Sequence, residues 1–179
     1  INMADPIRLY GEFQDDQGLD WRVNIHDEDF VGSATEFTLG ADGFVLRYSG
    51  DNENRYQSVI GSEVTFTLVE QSATETTFMD LLSTSAEQRF SVSVRRDPDS
   101  TNTLWWGGVI LPEQVVRPDE FFPIMNTINA ADDLGNLEVV DYNNDGTAYT
   151  LTAPSCVTHI LNCLNKTRAA HLWGTDDFL

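Results

Sequence analysis

Apolar and polar residues alternate in short segments through most of the first 130 residues. A period of two is typical of strands that bury one face, because successive side chains of a strand point to opposite sides. Turn-forming residues separate the segments, for example at 15–18, 41–43 and 97–100. The pattern predicts a mainly β fold, either a β-barrel or a sandwich-like module. The predicted strands are 7–13, 21–26, 37–40, 44–48, 62–70, 90–94, 104–111 and 121–128.

The two segments that flank the 15–18 turn predict a β-hairpin with one wet face. Val23 and Ile25 are expected to point into the core, since they alternate with polar residues. The residues expected to face water are Arg22, Asn24 and His26. His26 is therefore interpreted as a solvated structural residue.

Two adjacent tryptophans, Trp105 and Trp106, lie in the most apolar of the predicted strands. Regular alternation would place them on opposite faces, so at least one should face something other than the main core. Exposed aromatic rings could stack on sugars, which suggests carbohydrate binding. The other interpretation is one core tryptophan beside one interface tryptophan.

Two short helices are predicted in addition to the strands. Ser72 and Glu75 have the spacing of a capping box, which marks a helix start. The apolar stripe that follows is Phe78, Leu81 and Leu82. The second helix is predicted to begin at Pro154. Its stripe is Val157, Ile160, Leu161 and Leu164.

These elements predict a β-barrel-like domain over residues 1–130 and a helical extension over residues 131–179. Residues 168–179 show no periodic pattern but include Trp173 and Phe178. Because apolar surface is costly to leave in water, the extension is expected to pack on a neighbouring protein or to continue into a longer chain.

The chain is strongly acidic, with 29 acidic residues against 10 basic ones, a net charge of −19 and a pI near 4.1. A phosphate backbone or an anionic membrane would be repelled, so neither nucleic acid nor membrane is an expected partner. No apolar run is long enough to predict a transmembrane helix. A hydrated acidic surface is consistent with a marine or saline source, or simply with an acidic soluble protein.

No residues with catalytic, cofactor-binding or metal-binding spacing are predicted, so we do not expect an enzyme. The remaining histidines, His159 and His171, lack a nucleophile or an acid at a recognisable spacing. Cys156 and Cys163 are seven residues apart in a predicted helix, roughly 10 Å, which is too far for a disulfide. They are interpreted as small buried residues of a protein in a reducing compartment.

One string resembles half of a calcium loop. Asp141, Asn143 and Asp145 occupy the first three ligand positions of an EF-hand, and Gly146 follows. Position twelve is Thr152, where such a loop needs a bidentate glutamate. A β-turn rich in Asp and Asn is therefore the preferred interpretation, and calcium binding by this loop is left open.

Three strings carry a resemblance to a known family. They are ATEFTLGADGF at 34–44, WWGGVILP at 105–112 and INAADDLGNL at 128–137. With Tyr142 and the predicted helix that ends in NCLNKT at 162–167, they resemble the N-terminal part of tail-tip proteins of tailed bacteriophages, of the baseplate-hub or distal-tail type. In that family the third string often has Gly where this chain has Asp133, a departure at a turn.

The resemblance implies a β-barrel-like module that assembles into a homo-oligomeric ring, trimeric for hubs and hexameric for distal-tail proteins, together with other tail proteins. It implies a location in the virion after assembly in the host cytoplasm, and it brings no catalytic residues or cofactors. The alternative prediction is a secreted β-sandwich that binds carbohydrate, with exposed coplanar aromatic rings and a monomeric state.

Overall fold

The computed structural model describes residues 6–49, 61–71, 73–85, 89–115 and 121–132. These residues form one mixed β-sheet, and the predicted mainly β fold is confirmed. The strands are β1 (Ile7–Gln14), β2 (Asp20–Asp27), β3 (Thr35–Glu36), β4 (Thr38–Ser49), β5 (Gly61–Glu70), β6 (Phe90–Arg96), β7 (Thr103–Ile110) and β8 (Ile124–Ala131). Helix α1 (Ala73–Thr84) follows β5, and a 3-10 helix (Pro112–Gln114) follows β7. The second predicted helix and the rest of the predicted extension lie outside the described residues.

One continuous stretch of chain forms both edges of this sheet. The strand order is β3-β1-β2-β6-β7-β8-β5-β4, and all neighbours are antiparallel except β3 and β1. Only Phe37 separates β3 from β4, and its amide donates a hydrogen bond to the Tyr10 carbonyl at 2.9 Å. The sheet must therefore curl until its two edges meet, so that β1 and β4 come together around one core.

The core is formed by the inward faces of the strands, as the alternation predicts. In β5, Val64, Phe66 and Leu68 are each at most 2% exposed. Helix α1 adds Phe78, Met79 and Leu82 to the same core. Met79 was not part of the predicted stripe but is buried in the core. Leu81, which was part of it, is partly buried and packs against the core. The proposed capping box lies outside the described side chains. No helix in the described part of the chain is long and apolar enough to cross a membrane.

The prediction of a wet face on β2 is wrong at Asn24. This residue is only 1% exposed and pairs across the strands with Ser93 of β6, which is 5% exposed. Strand β2 lies between β1 and β6, so Asn24 is flanked by a neighbouring strand on each side. The Asn24 amide nitrogen donates to the Ser93 hydroxyl at 3.2 Å, which satisfies part of its hydrogen-bonding capacity.

The turn predicted at 41–43 is a bulge inside one strand. Leu39 pairs with Leu68 and Phe44 with Phe66, so β4 uses five steps where β5 uses two. Gly43 has a φ of 61°, a conformation that glycine adopts without a steric cost. A Cβ on Gly43 would also lie 2.8 Å from the Phe13 ring of β1. The turn residues thus serve to bring β4 against β1.

A second bulge changes the prediction for the tryptophan pair. Trp106 pairs with Val94 and Leu104 pairs with Arg95, so Trp105 is the extra residue of β7. Trp106 is buried in the core. The Trp105 ring makes an edge-to-face contact with Trp21, whose side chain packs against the core. The two rings therefore do not point to opposite faces, although Trp105 is 51% exposed and does face outside the core.

Strand β8 begins later than predicted, at Ile124, and continues to Ala131. Phe121 and Phe122 precede it, and the Phe122–Pro123 peptide bond is cis. Both phenylalanines are exposed, Phe121 at 98% and Phe122 at 44%.

Replacement of Gly108 by alanine tests the seam between β7 and β8. A methyl group there would overlap the Ala131 carbonyl oxygen and the Trp106 ring. Because a backbone atom has little freedom to move aside, we expect Gly108→Ala to lower the free energy of unfolding by about 1–3 kcal/mol or more. Urea denaturation measures this change. The control is Gly32→Ala, where the new methyl meets only the movable Phe30 ring, and an equal loss in both variants would contradict the proposed overlap.

Candidate functional site

The residues named from sequence for possible chemistry fall in two groups. The loop with Asp141 and Asp145, the cysteines Cys156 and Cys163, and the histidines His159 and His171 lie outside the described residues, as do Trp173 and Phe178. His26, Trp105 and Trp106 are described. Within the described ranges, no group of three His, Cys, Asp or Glu side chains is arranged to hold a metal ion.

The most strongly bonded polar group is the carboxylate of Asp27, at the end of β2. It is fully buried and accepts hydrogen bonds from two arginines. Arg8 Nη1 lies 2.6 Å from Oδ2, and Arg89 Nε lies 3.0 Å from Oδ1. The Asp29 amide also donates to Oδ1, at 3.2 Å. The carboxylate therefore joins β1 and the start of β6 to the end of β2.

These contacts fix the charge of Asp27. Burial alone would raise the pKa of its carboxyl, but the hydrogen bonds from Arg89, Arg8 and the Asp29 amide outweigh burial and lower it. The same bond raises the pKa of Arg89. The Arg8 guanidinium also lies over the rings of Phe30 and Phe78, at 5.2 and 5.7 Å from their centroids. A buried carboxylate held by two cations is a structural clamp, since both of its oxygens are already occupied.

His26 has a hydrogen-bonded serine, which the sequence did not suggest. His26 Nε2 lies 2.8 Å from Ser93 Oγ, a distance suited to a nucleophile and its base. Ser93 also accepts the hydrogen bond from Asn24, and only 5% of its surface is exposed. Asn24 Oδ1 is buried and accepts no hydrogen bond. Ser93 therefore offers a substrate almost no access. We interpret Asn24, His26 and Ser93 as a cross-strand polar ladder and not as a nucleophile with its base.

Two more polar groups are buried among the apolar side chains. Asn126 Nδ2 donates to Glu70 Oε1 at 2.5 Å, and both residues are 0% exposed. Asp132 Oδ2 accepts from the amide and the hydroxyl of Ser62, while Trp106 Nε1 donates to that hydroxyl at 2.9 Å. The second group connects β5, β7 and the end of β8, so it fixes the Trp106 ring in the core.

Four aromatic rings meet at the opposite end of β2 from Asp27. Trp21 stacks on Phe13 at 9° and meets Phe44 and Trp105 edge to face. Trp21 Nε1 donates to Asp15 Oδ2 at 2.9 Å. That bond, with the Leu19 amide, lowers the pKa of Asp15. The cluster is rigid at its base and presents one half-exposed ring, that of Trp105.

The outward side of β4, β5 and β8 forms an almost uncharged surface, here called the neutral face. Its members are Thr38, Val45, Thr65, Thr67, Val69, Met125, Thr127 and Asn129. All eight are at least partly exposed, and Met125 is 64% exposed. The charged neighbours at one end are Arg47 and Glu63, which are paired opposite each other in the register. Two accessible surfaces are therefore candidates for binding. They are the neutral face, which lacks charge, and the half-exposed aromatic ring of Trp105.

Loss of the Asp27 carboxylate should destabilise the fold in a pH-dependent way. A lowered pKa in the folded state stabilises the protein above the unfolded pKa of about 3.9, and this contribution is lost as pH falls through the folded value. We expect Asp27→Asn to cost about 3 kcal/mol at pH 7. The stability of the variant should also fall less steeply than that of the wild type below pH 4.

Urea denaturation at pH 7 and at several values below pH 4 measures both effects. The control is Asp99→Asn, because the Asp99 carboxylate is 90% exposed and lies 3.3 Å from Arg22. Its loss should change stability little at either pH. Equal effects of the two substitutions would refute the role assigned to Asp27.

The chain matches no family model, no curated protein and no solved structure.

Proposed function

We propose that this chain is a non-catalytic structural module that assembles with copies of itself, as a component of a phage tail tip of the baseplate-hub or distal-tail type. The observation that carries the proposal is the neutral face with the exposed phenylalanines beside it. The module would form a ring of three or six copies, join other tail proteins, and be assembled in the host cytoplasm.

Exposed apolar side chains are concentrated at the start of β8. Phe121, Phe122 and Met125 lie within five positions and are 98%, 44% and 64% exposed. Single exposed apolar residues are common on protein surfaces, but groups of them mark interaction sites. Aromatic residues and methionine are also enriched at protein interfaces. The grouping therefore favours a protein contact at this edge of the neutral face.

Charge selects a second copy of the chain as the occupant. Each chain carries −19, so two copies repel one another wherever their acidic surfaces approach. The neutral face escapes this repulsion on its side of the contact, since its eight members carry no charge, and in a closed ring it lies against a different surface of the next copy. Arg47 and Glu63 at its end cancel each other. A basic partner would instead gain most from the acidic parts of the surface.

The neutral face is also held in one shape. Its central strand, β5, pairs with β4 on one side and β8 on the other. Thr65 donates a hydrogen bond to Asn129 across the strands at 2.9 Å. Beneath the face lie fully buried residues such as Val64 and Ile128. A preformed surface loses little conformational entropy on binding, which favours assembly.

The sequence resemblance supports the phage assignment. The string at 34–44 contains β3 and the first half of β4, where the sheet closes on itself. The string at 105–112 covers most of β7, with the bulge at Trp105. Both strings thus correspond to the parts of the sheet with the most specific geometry, as expected for segments that define a module.

The alternative function, a secreted carbohydrate-binding module, predicted exposed coplanar aromatic rings. Trp106 is 6% exposed and cannot take part. The half-exposed Trp105 ring is at 89° to its neighbour Trp21, so these two rings form no flat platform. An assembly module accounts for more of the described surface than a dedicated sugar-binding domain does.

Substitution of the apolar group by acids should dissociate the ring. We expect the full chain to have the mass of three or six copies by light scattering at high salt, where repulsion is screened. Phe121→Glu combined with Met125→Glu should weaken association at least about tenfold, because each new interface would bury unpaired like charges.

The matched control is the double variant Val31→Glu and Ser33→Glu. It places the same two charges on exposed residues outside the neutral face. It should leave the mass unchanged. A wild-type monomer at both moderate and high salt would overturn the proposal, as would equal dissociation of the ring by the control.

A further inference from the structure

We propose that Trp105 is the contact residue of a separate binding site for neutral carbohydrate, at the end of the sheet where the 15–19 and 97–102 turns meet. This site is separate from the assembly surface, and sugar binding there does not depend on formation of the oligomeric ring. A single sugar ring stacked on Trp105 is the contact we infer.

A β-bulge sets the orientation of Trp105. In a regular strand this residue would have a partner on β6 and point away from the core, but the register passes from Trp106 to Leu104 and leaves it unpaired, and its ring meets Trp21. The Trp105 ring is still 51% exposed, whereas Trp106 is 6% exposed. Bulges commonly reorient a side chain at functional sites. Here the reoriented side chain is a flat aromatic ring.

The exposed ring rests on a fixed support. Its edge-to-face contact with Trp21 has a centroid separation of 5.6 Å. Trp21 is held in turn by the Phe13 stack, by Phe44 and by the hydrogen bond to Asp15. Binding to a ring that is already immobilised costs little side-chain entropy. The support therefore favours a recognition role for Trp105.

The surroundings of Trp105 favour a sugar over a protein. A protein contact of useful strength requires an apolar centre of several residues. Leu104 and Trp106 flank Trp105 in the chain, but the exposed residues that precede them, Thr101, Asn102 and Thr103, are polar. Gln17 and Ser100 on the two turns are also exposed. A pyranose fits this combination, because it has an apolar C–H face for the ring and hydroxyls for the polar turns.

The two turns lie close enough to act together. The Asp97 amide donates to the Asp20 carbonyl at 2.9 Å, and Arg22 Nη2 lies 3.3 Å from Asp99 Oδ1. Trp105 follows the second turn by three positions. A ligand on its ring would therefore lie beside both turns, because the ring contacts Trp21 and Trp21 is hydrogen-bonded to Asp15 of the first turn.

Charge argues against an anionic ligand. The segments 15–20 and 97–102 contain five aspartates, which would repel sulfated or uronic polymers. Arg95 and Arg96 pair with β7 directly beside Trp105 and offset only part of this negative charge. A neutral hexose or N-acetylhexosamine unit avoids the repulsion.

The test is titration of the full chain with five neutral hexasaccharides. Three are made of glucose (α-1,4, β-1,4 and β-1,3), one of mannose and one of N-acetylglucosamine. Calorimetry and tryptophan fluorescence measure the binding. We expect at least one probe to bind with a Kd below about 10 mM. Trp105→Ala should weaken that binding at least about tenfold, and Trp105→Phe should retain most of it because a flat ring remains. Met125→Ala, on the neutral face, should have no effect.

Light scattering and urea denaturation of Trp105→Ala complete the design, since its mass should match the wild type and it should unfold cooperatively, at a somewhat lower midpoint because the contact with Trp21 is lost. Absence of binding for all five probes would overturn the proposal, and so would binding that Trp105→Ala leaves intact. If Trp105→Ala no longer forms the oligomeric ring of the wild type, Trp105 makes a protein contact instead. Equal binding of dextran sulfate would refute the assigned neutrality. None of these carbohydrate outcomes depends on whether the wild-type chain forms a ring.

Discussion

The closure of the sheet by a single stretch of chain determines most of what the rest of this fold must do. Residues 35–49 pair with β1 at their start and with β5 afterwards, so the first and last strands of the sheet are held by one covalent connection. A sheet bound in this way has one enclosed side, which the large apolar residues fill. Close approach of β4 to β1 then requires glycine at position 43 and a small residue at Gly11, where a Cβ would lie 2.7 Å from Leu39.

The two ends of the enclosed side are finished by different chemistry. One end has the carboxylate of Asp27 between two guanidiniums, beside helix α1. The other has the aromatic cluster of Phe13, Trp21, Phe44 and Trp105. A buried charge is tolerated at the first end because every strong acceptor position is filled. The second end needs no such compensation, and its outermost ring is free to meet a ligand.

Periodicity in the sequence was sufficient to predict the class of fold and nearly all of the strands, because an inward-facing strand must alternate. It could not predict the bulges in β4 and β7, since 40–43 has the composition of an ordinary turn and the tryptophan pair gives no local signal of an extra residue. Nor could it predict the neighbours of Asp27, Asn24 and Glu70, which come from strands far away in the chain. The neutral face was present in the alternation of β5 and β8, but its exposure and low charge became apparent only when the strands were placed side by side.

The arrangement of arginines implies an unequal tolerance to sequence change. The chain has only ten basic residues, and in the described part of it four arginines form ion pairs: Arg8 and Arg89 with Asp27, Arg22 with Glu12 and Asp99, and Arg96 with Asp97. Most of the acids whose side chains the structure describes, by contrast, are exposed and contribute to a collective surface charge in which one carboxylate can replace another. Over evolutionary divergence, acidic positions on the surface should therefore drift freely among Asp, Glu and neutral polar residues. The arginines that hold Asp27 should stay fixed. These basic positions should therefore differ less among related sequences than the acidic positions of the surface.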